Sequence, residues 1–356
     1  MPDELQLILA FGAAAGLAQI SVPLAIRLAL ATGFLDHPVG YKKHDRATPY
    51  LGGLGVMAAA LPVALVVGGG SEVLVIVACA AGLCLVGIAD DRVHLGPVTR
   101  VFAEFVAAFA LWQADLGWLL FDEGVLNLAL TTVWVVGLVN AFNLMDNLDG
   151  ATGSVGGVSA VGIGVLAATQ GEMAIAALAF ALAGACAGFL RFNLARPSRV
   201  FLGDGGSMPV GFLLAACVTA IPATEGFGTA AVFAVVPLVG LAVLDTTLVV
   251  VSRLRRGVGV LTGGRDHLTH RLLRLLGTPQ LVALALAGAQ AALCGLGFLL
   301  FDSTIVTVFS AATGYVLLGA ATIAALEWPY LRDEARAGAE EALSPALAPV
   351  QQESGS

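Results

Sequence analysis

Apolar runs long enough to cross a bilayer recur along this chain, separated by short polar breaks. A membrane-spanning helix needs roughly 20 consecutive apolar residues. By that measure the pattern predicts about eleven spans: 5–31, 50–69, 72–89, 99–120, 125–143, 153–169, 172–190, 207–223, 228–251, 279–299 and 304–327. The short alternating segments of a transmembrane β-barrel are missing. The expected fold is all-α and polytopic, with one integral membrane domain over 1–330. Residues 331–356, rich in Ala, Glu, Pro and Ser, read as a disordered cytoplasmic tail. The first run follows no basic segment and no cleavage site, so it is expected to remain as a helix.

The polar breaks are of two kinds. One set is short and acidic, around Glu72, Asp122, Glu172, Glu225 and Asp302. The other is longer and holds the basic residues: Lys42, Lys43 and Arg46; Arg92 and Arg100; Arg191, Arg196 and Arg199; and the run from Arg253 to Arg274. With eleven spans every Lys and Arg falls on one side, which the positive-inside rule makes cytoplasmic. The N-terminus is then outside and the C-terminus inside, in a plasma or inner membrane. Composition agrees: 58% of the 356 residues are hydrophobic and 12% charged, against about 25% charged in soluble domains. The net charge of −8 says little about partners, because the signs are segregated, and nothing points to nucleic acid. The five cysteines lie scattered in apolar runs and read as small core residues. Forty-four glycines suit close helix packing in lipid.

The deep carboxylates gather on the arginine-rich side. Asp90 and Asp91 end the third span, in GIADDRVHLG. Asp146 and Asp149 end the fifth, in VNAFNLMDNLDG. Asp204 precedes the eighth, in VFLGDGGSMPVG, and Asp245 is near the inner end of the ninth. Asn140, Asn143, Asp146 and Asp149 are spaced by three, each step falling about 60° short of a turn, so they converge only if the helix bends or stops. Gly150 and Gly153 permit that. Crowded carboxylates repel each other, and a hard cation such as Mg²⁺, which takes one or two carboxylates and completes its shell with water and substrate phosphates, would hold them. GDGGS leads into a helix start whose N–H groups can face an anion. One acidic site for a metal and a diphosphate is the economical reading. The bland alternatives are that Asp45, Asp266 and Asp333 are solvated caps and that Asn140 is interhelical glue. His267 and His270, beside Arg265 and Arg271, fit anion or sugar contacts better than zinc.

These motifs resemble the polyprenyl-phosphate N-acetylhexosamine-1-phosphate transferases, in particular the branch that moves GlcNAc-1-phosphate from UDP-GlcNAc to undecaprenyl or decaprenyl phosphate. The carriers are DHPVGYKKHDRATPYLGGLGV, GIADDRVHLGP, NAFNLMDNLDGATG, FLGDGGSMPVG and GGRDHLTHRLL, in order from about Asp36 to Arg274. The resemblance implies Mg²⁺, or Mn²⁺ in its place, held by Asp204 and Asn143. It implies a phosphate-transfer centre at Asp90, Asp91 and Asp146, with Asp90 acting on the lipid phosphate. Asp149, Phe201 and Asn140 would meet the nucleotide. Lys43, His44, Arg100, Arg265, His267, His270 and Arg271 would meet phosphate or sugar. The implied partners are a UDP-N-acetylhexosamine, polyprenyl phosphate, membrane lipid and a second copy of the chain. Two departures stand out. Asn147 follows Asp146 where the family has Gly. His267-Leu268-Thr269-His270 replaces the three consecutive histidines of the peptidoglycan branch, which argues against a MurNAc-pentapeptide substrate. A cation-coupled transporter or lipid flippase is the other alternative, but acids at span ends on one side, without an inverted repeat, favour an enzyme.

Overall fold

The computed structural model describes residues 3–36, 47–221, 230–260, 262–301 and 303–343. In chain order the elements are α1 (Asp3–Thr32), β1 (Leu35–Asp36), β2 (Thr48–Pro49), α2 (Gly52–Val67), α3 (Gly70–Val93), α4 (Pro97–Gln113), α5 (Gly124–Met145), α6 (Ala151–Thr169), α7 (Met173–Asn193), α8 (Asp204–Thr219) and α9 (Ala230–Val235). A 3-10 turn, Val236–Val239, leads into α10 (Gly240–Arg255), followed by α11 (Leu268–Leu276), α12 (Pro279–Phe301) and α13 (Ile305–Leu343). The fold is helical apart from one short antiparallel pairing, in which Leu35 faces Pro49 and Asp36 faces Thr48.

Among the described residues, eight segments are long and apolar enough to cross a membrane: α1, α3, α5, α6, α7, the stretch Val232–Arg255, α12 and the first part of α13. The spans expected at 50–69, 99–120 and 207–223 form α2, α4 and α8, of 16, 17 and 16 residues. At 1.5 Å per residue these measure roughly 24–26 Å, short of the ~30 Å hydrocarbon layer. The tail expected to be disordered from 331 is helical as far as Leu343; 344–356 lie outside the described residues.

α8 sits at the centre. It packs on α2, α3, α5, α6 and α7, and every residue from Gly205 to Thr219 is buried. A helix apolar on all sides suits such a position. Its approach to α2 is backbone to backbone: a Cβ on Gly53 would lie 2.1 Å from the Gly206 nitrogen. α1 meets α7 through small residues. Ala10, Ala14, Ala18 and Val22 form a stripe at helical spacing, and a Cβ on Gly184 of α7 would stand 2.1 Å from the Phe11 carbonyl. In lipid, close packing of this kind substitutes for the hydrophobic drive that water supplies. All five cysteines are unpaired and four are buried, as the scattered spacing suggested.

One end of the bundle collects the functional motifs. Phe201 donates to the Pro49 carbonyl, and Gly52 and Gly53 donate to the carbonyls of Phe201 and Leu202. Gln280, at the start of α12, donates to the Leu194 carbonyl beyond α7. Glu327 of α13 pairs with Arg255 at the end of α10.

Gly53→Ala is expected to destabilise the protein by about 3 kcal/mol or more, because backbone must move to admit the methyl. Thermal unfolding in detergent would show it. Gly137→Ala in α5, where an added Cβ meets nothing within 4 Å, is the control and should unfold at or above the wild-type temperature.

Candidate active site

α3 stops at the acidic doublet. His94 takes a left-handed cap with φ 54° and its N–H returns to the Asp90 carbonyl. Leu95 then donates its N–H to Asp90 Oδ1 at 2.6 Å. Pro97 opens α4, which brings Arg100 back over the doublet. Arg100 Nη1 lies 3.0 Å from Asp90 Oδ2 and 3.4 Å from Asp204 Oδ2. Its Nη2 donates to Asn143 Oδ1 at 2.7 Å. Asn143 in turn donates to Asp204 Oδ1 at 2.7 Å and to Ser207 Oγ at 3.0 Å. One guanidinium and one amide thus join two carboxylates, the four residues coming from four helices.

Asp91 does something else. Both its oxygens accept backbone N–H groups at the start of α8, from Asp204 at 3.0 Å and Gly205 at 3.2 Å. Asp146, just past α5, accepts from Gly203 at 3.2 Å. The N–H groups expected to receive a substrate anion at GDGGS are therefore occupied by the chain's own carboxylates, a satisfactory match for the positive end of a helix. Gly203 has φ +74°, and a Cβ there would sit 2.7 Å from Asp91 Oδ2; the turn needs glycine twice over. Burial, then the charge of Asp204, pushes the Asp146 carboxyl up to about 8, against the opposing pull of the Gly203 N–H.

A cavity of about 630 Å³ opens on this cluster, lined among others by Asp36, Tyr50, Asp90, Asp91, Arg100 and Asp204. Asp36 and Tyr50 were not singled out in the sequence, although both belong to its first motif. Tyr50 stands edge-on to Phe201 with ring centres 6.3 Å apart, which sets the nucleotide candidate Phe201 beside the cavity wall. Lys43 and His44 lie outside the described residues.

The four residues spaced by three do not converge, even though α5 stops at Met145. Asn143 and Asp146 turn to the α8 start. Asn140 instead donates to Glu104 at 2.6 Å and to the Val136 carbonyl at 2.9 Å, so its amide is spent between helices. Asp149 accepts from Asn193 at 3.2 Å. Asn193, unremarked in the sequence, also binds the Gly150 N–H at 2.6 Å and the Val200 carbonyl at 2.9 Å, tying α6, α7 and the segment before α8 together.

The histidine segment forms a second polar region. Asp245, fully buried on α10, holds His267 Nδ1 at 2.9 Å and the Leu268 N–H at 2.6 Å. Thr269 hydrogen-bonds Asn147, fixing the segment to the end of α5. Burial first, and Arg265 next, bring His270 down to about 4, so its ring is neutral at pH 7. Arg271 is buried, bound to Glu327 and to the Asp266 and Leu326 carbonyls. Arg265 lines a separate cavity of about 260 Å³ with Arg253, Arg256, Arg271 and Arg274. Among the described residues, Arg100 is the one expected phosphate or sugar contact that lines the larger cavity. Asp266 is no solvated cap: Arg253 holds it with two hydrogen bonds, at 3.0 and 3.1 Å, and Arg256 pairs with it as well.

Burial works against the Asp266 charge, but Arg253 and Arg256 outweigh it and hold the carboxyl at about 2, below the ordinary 3.8. A depressed carboxyl stabilises above its unfolded pKa and loses that contribution as pH falls through the folded one. The amides of 262–271 should therefore lose hydrogen-exchange protection between pH 3.8 and about 2. Asp266→Asn should lose it already at neutral pH.

A family model described as glycosyl transferase family 4 matches residues 73–221, the stretch holding Asp90, Asp91, Arg100, Asn143, Asp146 and Asp204. The chain is 31% identical over 360 residues to a decaprenyl-phosphate N-acetylglucosaminephosphotransferase of Mycobacterium leprae, covering 86% of this chain and 88% of the relative. It is 25% identical over 275 residues to a probable undecaprenyl-phosphate N-acetylglucosaminyl 1-phosphate transferase of Bacillus subtilis, covering 71% and 74%. It is 28% identical over 301 residues to an undecaprenyl-phosphate alpha-N-acetylglucosaminyl 1-phosphate transferase of Yersinia pestis, covering 76% and 79%. With most of its length matched by these relatives and its central acidic cluster inside the family-model match, the chain belongs to glycosyl transferase family 4, among the polyprenyl-phosphate N-acetylglucosamine-1-phosphate transferases.

Proposed function

We propose that the protein transfers GlcNAc-1-phosphate from UDP-GlcNAc to polyprenyl phosphate and releases UMP. The observation that carries this is the Asp90–Arg100–Asn143–Asp204 cluster at the wall of a polar cavity, together with the relatives' names. An oxygen of the lipid phosphate attacks the β-phosphorus of the UDP-sugar. The new P–O bond forms as the bond to the bridging oxygen breaks, and that oxygen leaves with UMP. Phosphoryl transfer of this type is mostly positioning and charge stabilisation. Arg100 supplies positive charge and a rigid fork. Asp90 orients the lipid phosphate; that phosphate has a second pKa near 6 and is largely dianionic at neutral pH. Phe201 and Asp149 are assigned to the nucleotide, and the segment with His267 and His270, which lies off the larger cavity, to the sugar.

The donor set fits a hard cation. Among the described residues no group of three or more His, Cys, Asp and Glu gathers for a metal, but Mg²⁺ needs only one or two carboxylates beside water and phosphate oxygens. Asp204 and Asn143 would hold it, and Asp90 is close through their shared Arg100. When bound, the ion offsets the charge of the diphosphate and of the transition state.

We place the site at the cytoplasmic face of the plasma or inner membrane, in an eleven-span topology with the N-terminus outside. The contacts at the site end support this. They involve, alternately, the end of α3, the start of α4, the end of α5, the start of α6, the end of α7 and the start of α8, then the end of α10, the start of α12 and Glu327 of α13. The arginines lie at this same end. A prenyl tail can stay in lipid there while its phosphate meets a water-soluble donor. The outward apolar residues of α13, such as Val306 and Leu317, meet lipid or a second copy.

Purified protein with polyprenyl phosphate, Mg²⁺ and a panel of UDP-sugars should release UMP from UDP-GlcNAc only when lipid and metal are both present. Chelation should abolish release and added Mg²⁺ restore it. Asp204→Ala should lower kcat by about 10²–10³, the usual cost of removing a group that stabilises transition-state charge. A folded wild type that releases no UMP from any UDP-sugar would overturn the assignment.

A further inference from the structure

Glu104 is a buried acidic residue that the mechanism leaves unused. It lies on α4 and is fully buried. Oε2 accepts from Asn140 of α5 at 2.6 Å. Oε1 is buried and has no hydrogen-bond partner among the described residues. A buried carboxylate in an apolar bundle is expensive, and an aliphatic side chain would fill the same space without that cost. Its geometry supplies a reason for its presence. Glu104 follows Arg100 by four residues on α4, and Asn140 precedes Asn143 by three on α5, so each pair shares a helix face. α4 and α5 are therefore joined by two polar rungs, Arg100 to Asn143 at 2.7 Å and Asn140 to Glu104 at 2.6 Å. The first rung is open to the cavity, where an incoming phosphate competes for the guanidinium. The second lies off the cavity, with Glu104 fully buried, and has no such competitor.

We infer that Glu104 is a positioning residue: by accepting from Asn140 it locks α4 against α5 and aims Arg100 at Asp90, Asn143 and Asp204 while substrate phosphate is bound. This rests on the transferase reading above. What matters is the reach of the acceptor oxygen and not the negative charge. Glu104→Gln keeps an oxygen at the same distance and removes the charge. Glu104→Asp keeps the charge and withdraws the oxygen by one methylene.

The test measures kcat, KM for UDP-GlcNAc and melting temperature in detergent for wild type, Glu104→Gln, Glu104→Asp, Glu104→Leu and the double variant Glu104→Leu/Asn140→Leu. The Gln variant should stay within about threefold of wild-type kcat, and the Asp variant should fall about tenfold or more, the scale of a small misplacement at a reacting centre. The double variant leaves no buried polar group unpaired. It should melt like the wild type, with an unchanged KM for UDP-GlcNAc, yet keep the low kcat of Glu104→Leu. Three results would overturn the inference: Gln as impaired as Asp, which would make the charge the active feature; full activity in the double variant, which would reduce the pair to packing; or Asp as active as wild type. If both Leu variants fail to fold, the Gln and Asp comparison decides. A silent wild type would strike the transferase reading and this one with it, whereas an active wild type with a flat series strikes this one alone.

Discussion

The site depends on one bond pattern: the Asp91 carboxylate across the first two N–H groups of α8. A helix start buried in protein at membrane depth must find acceptors for its orphan N–H groups, because lipid offers none. Asp91 meets two of them and brings a negative charge to the positive end of the helix dipole. It also fixes where α8 begins relative to α3, and therefore where Asp204, the first residue of α8, stands relative to Asp90. Glycine makes the approach possible. A Cβ on Gly87, one turn before Asp91, would lie 2.3 Å from the Asp204 carbonyl. With α8 pinned, Asn143 closes the cluster from the α5 side by donating to Ser207 of α8.

Much of this was legible in the sequence, and what was not has a physical cause. Long apolar runs have one outcome in lipid, so helices fall at the expected spans, even where α2, α4 and α8 are too short to meet the length criterion. That acidic ends would gather was readable from the segregation of charge. The division of labour within the doublet was not. Adjacent helical residues point about 100° apart, and nothing local says which one faces Arg100 and which the backbone of a helix more than a hundred residues on. By the same angular argument, Asn140 and Asp149 converge only if the helix bends or stops. It stops, yet the two go to Glu104 and Asn193. Those partners passed unnoticed because a single polar residue in an apolar run shows no pattern until its neighbour across the bundle is known.

The basic residues show the same limit from the other side. Arginines near a diphosphate site invite assignment to phosphate, but most of the run from Arg253 to Arg271 is consumed at home. Asp266 takes Arg253 and Arg256, and Glu327 takes Arg255 and Arg271. Buried arginine with its planar fork suits paired carboxylates of this kind. The result is a rigid block joining α10, α11 and α13, from which His267 is held by Asp245 and Thr269 by Asn147. Among the described residues, the larger cavity is lined by two arginines, Arg92 and Arg100, against four aspartates.

That shortage bears on how the centre handles substrate. Arg100 alone spans Asp90 and Asp204, while Asp91 and Asp146 are occupied by backbone N–H groups. A diphosphate and a lipid phosphate bring several further negative charges to a wall that is already acidic. Such a wall repels both unless positive charge arrives with them, and a metal-complexed nucleotide does that in one step. On the proposed function, the carboxylates would then favour the donor that carries its own cation over bare phosphate, and Arg100 would be left to steer the lipid phosphate. On the function proposed above, the excess of acid over base among the described residues, which would be a defect in a plain anion site, would select for the metal-bound form of a nucleotide sugar.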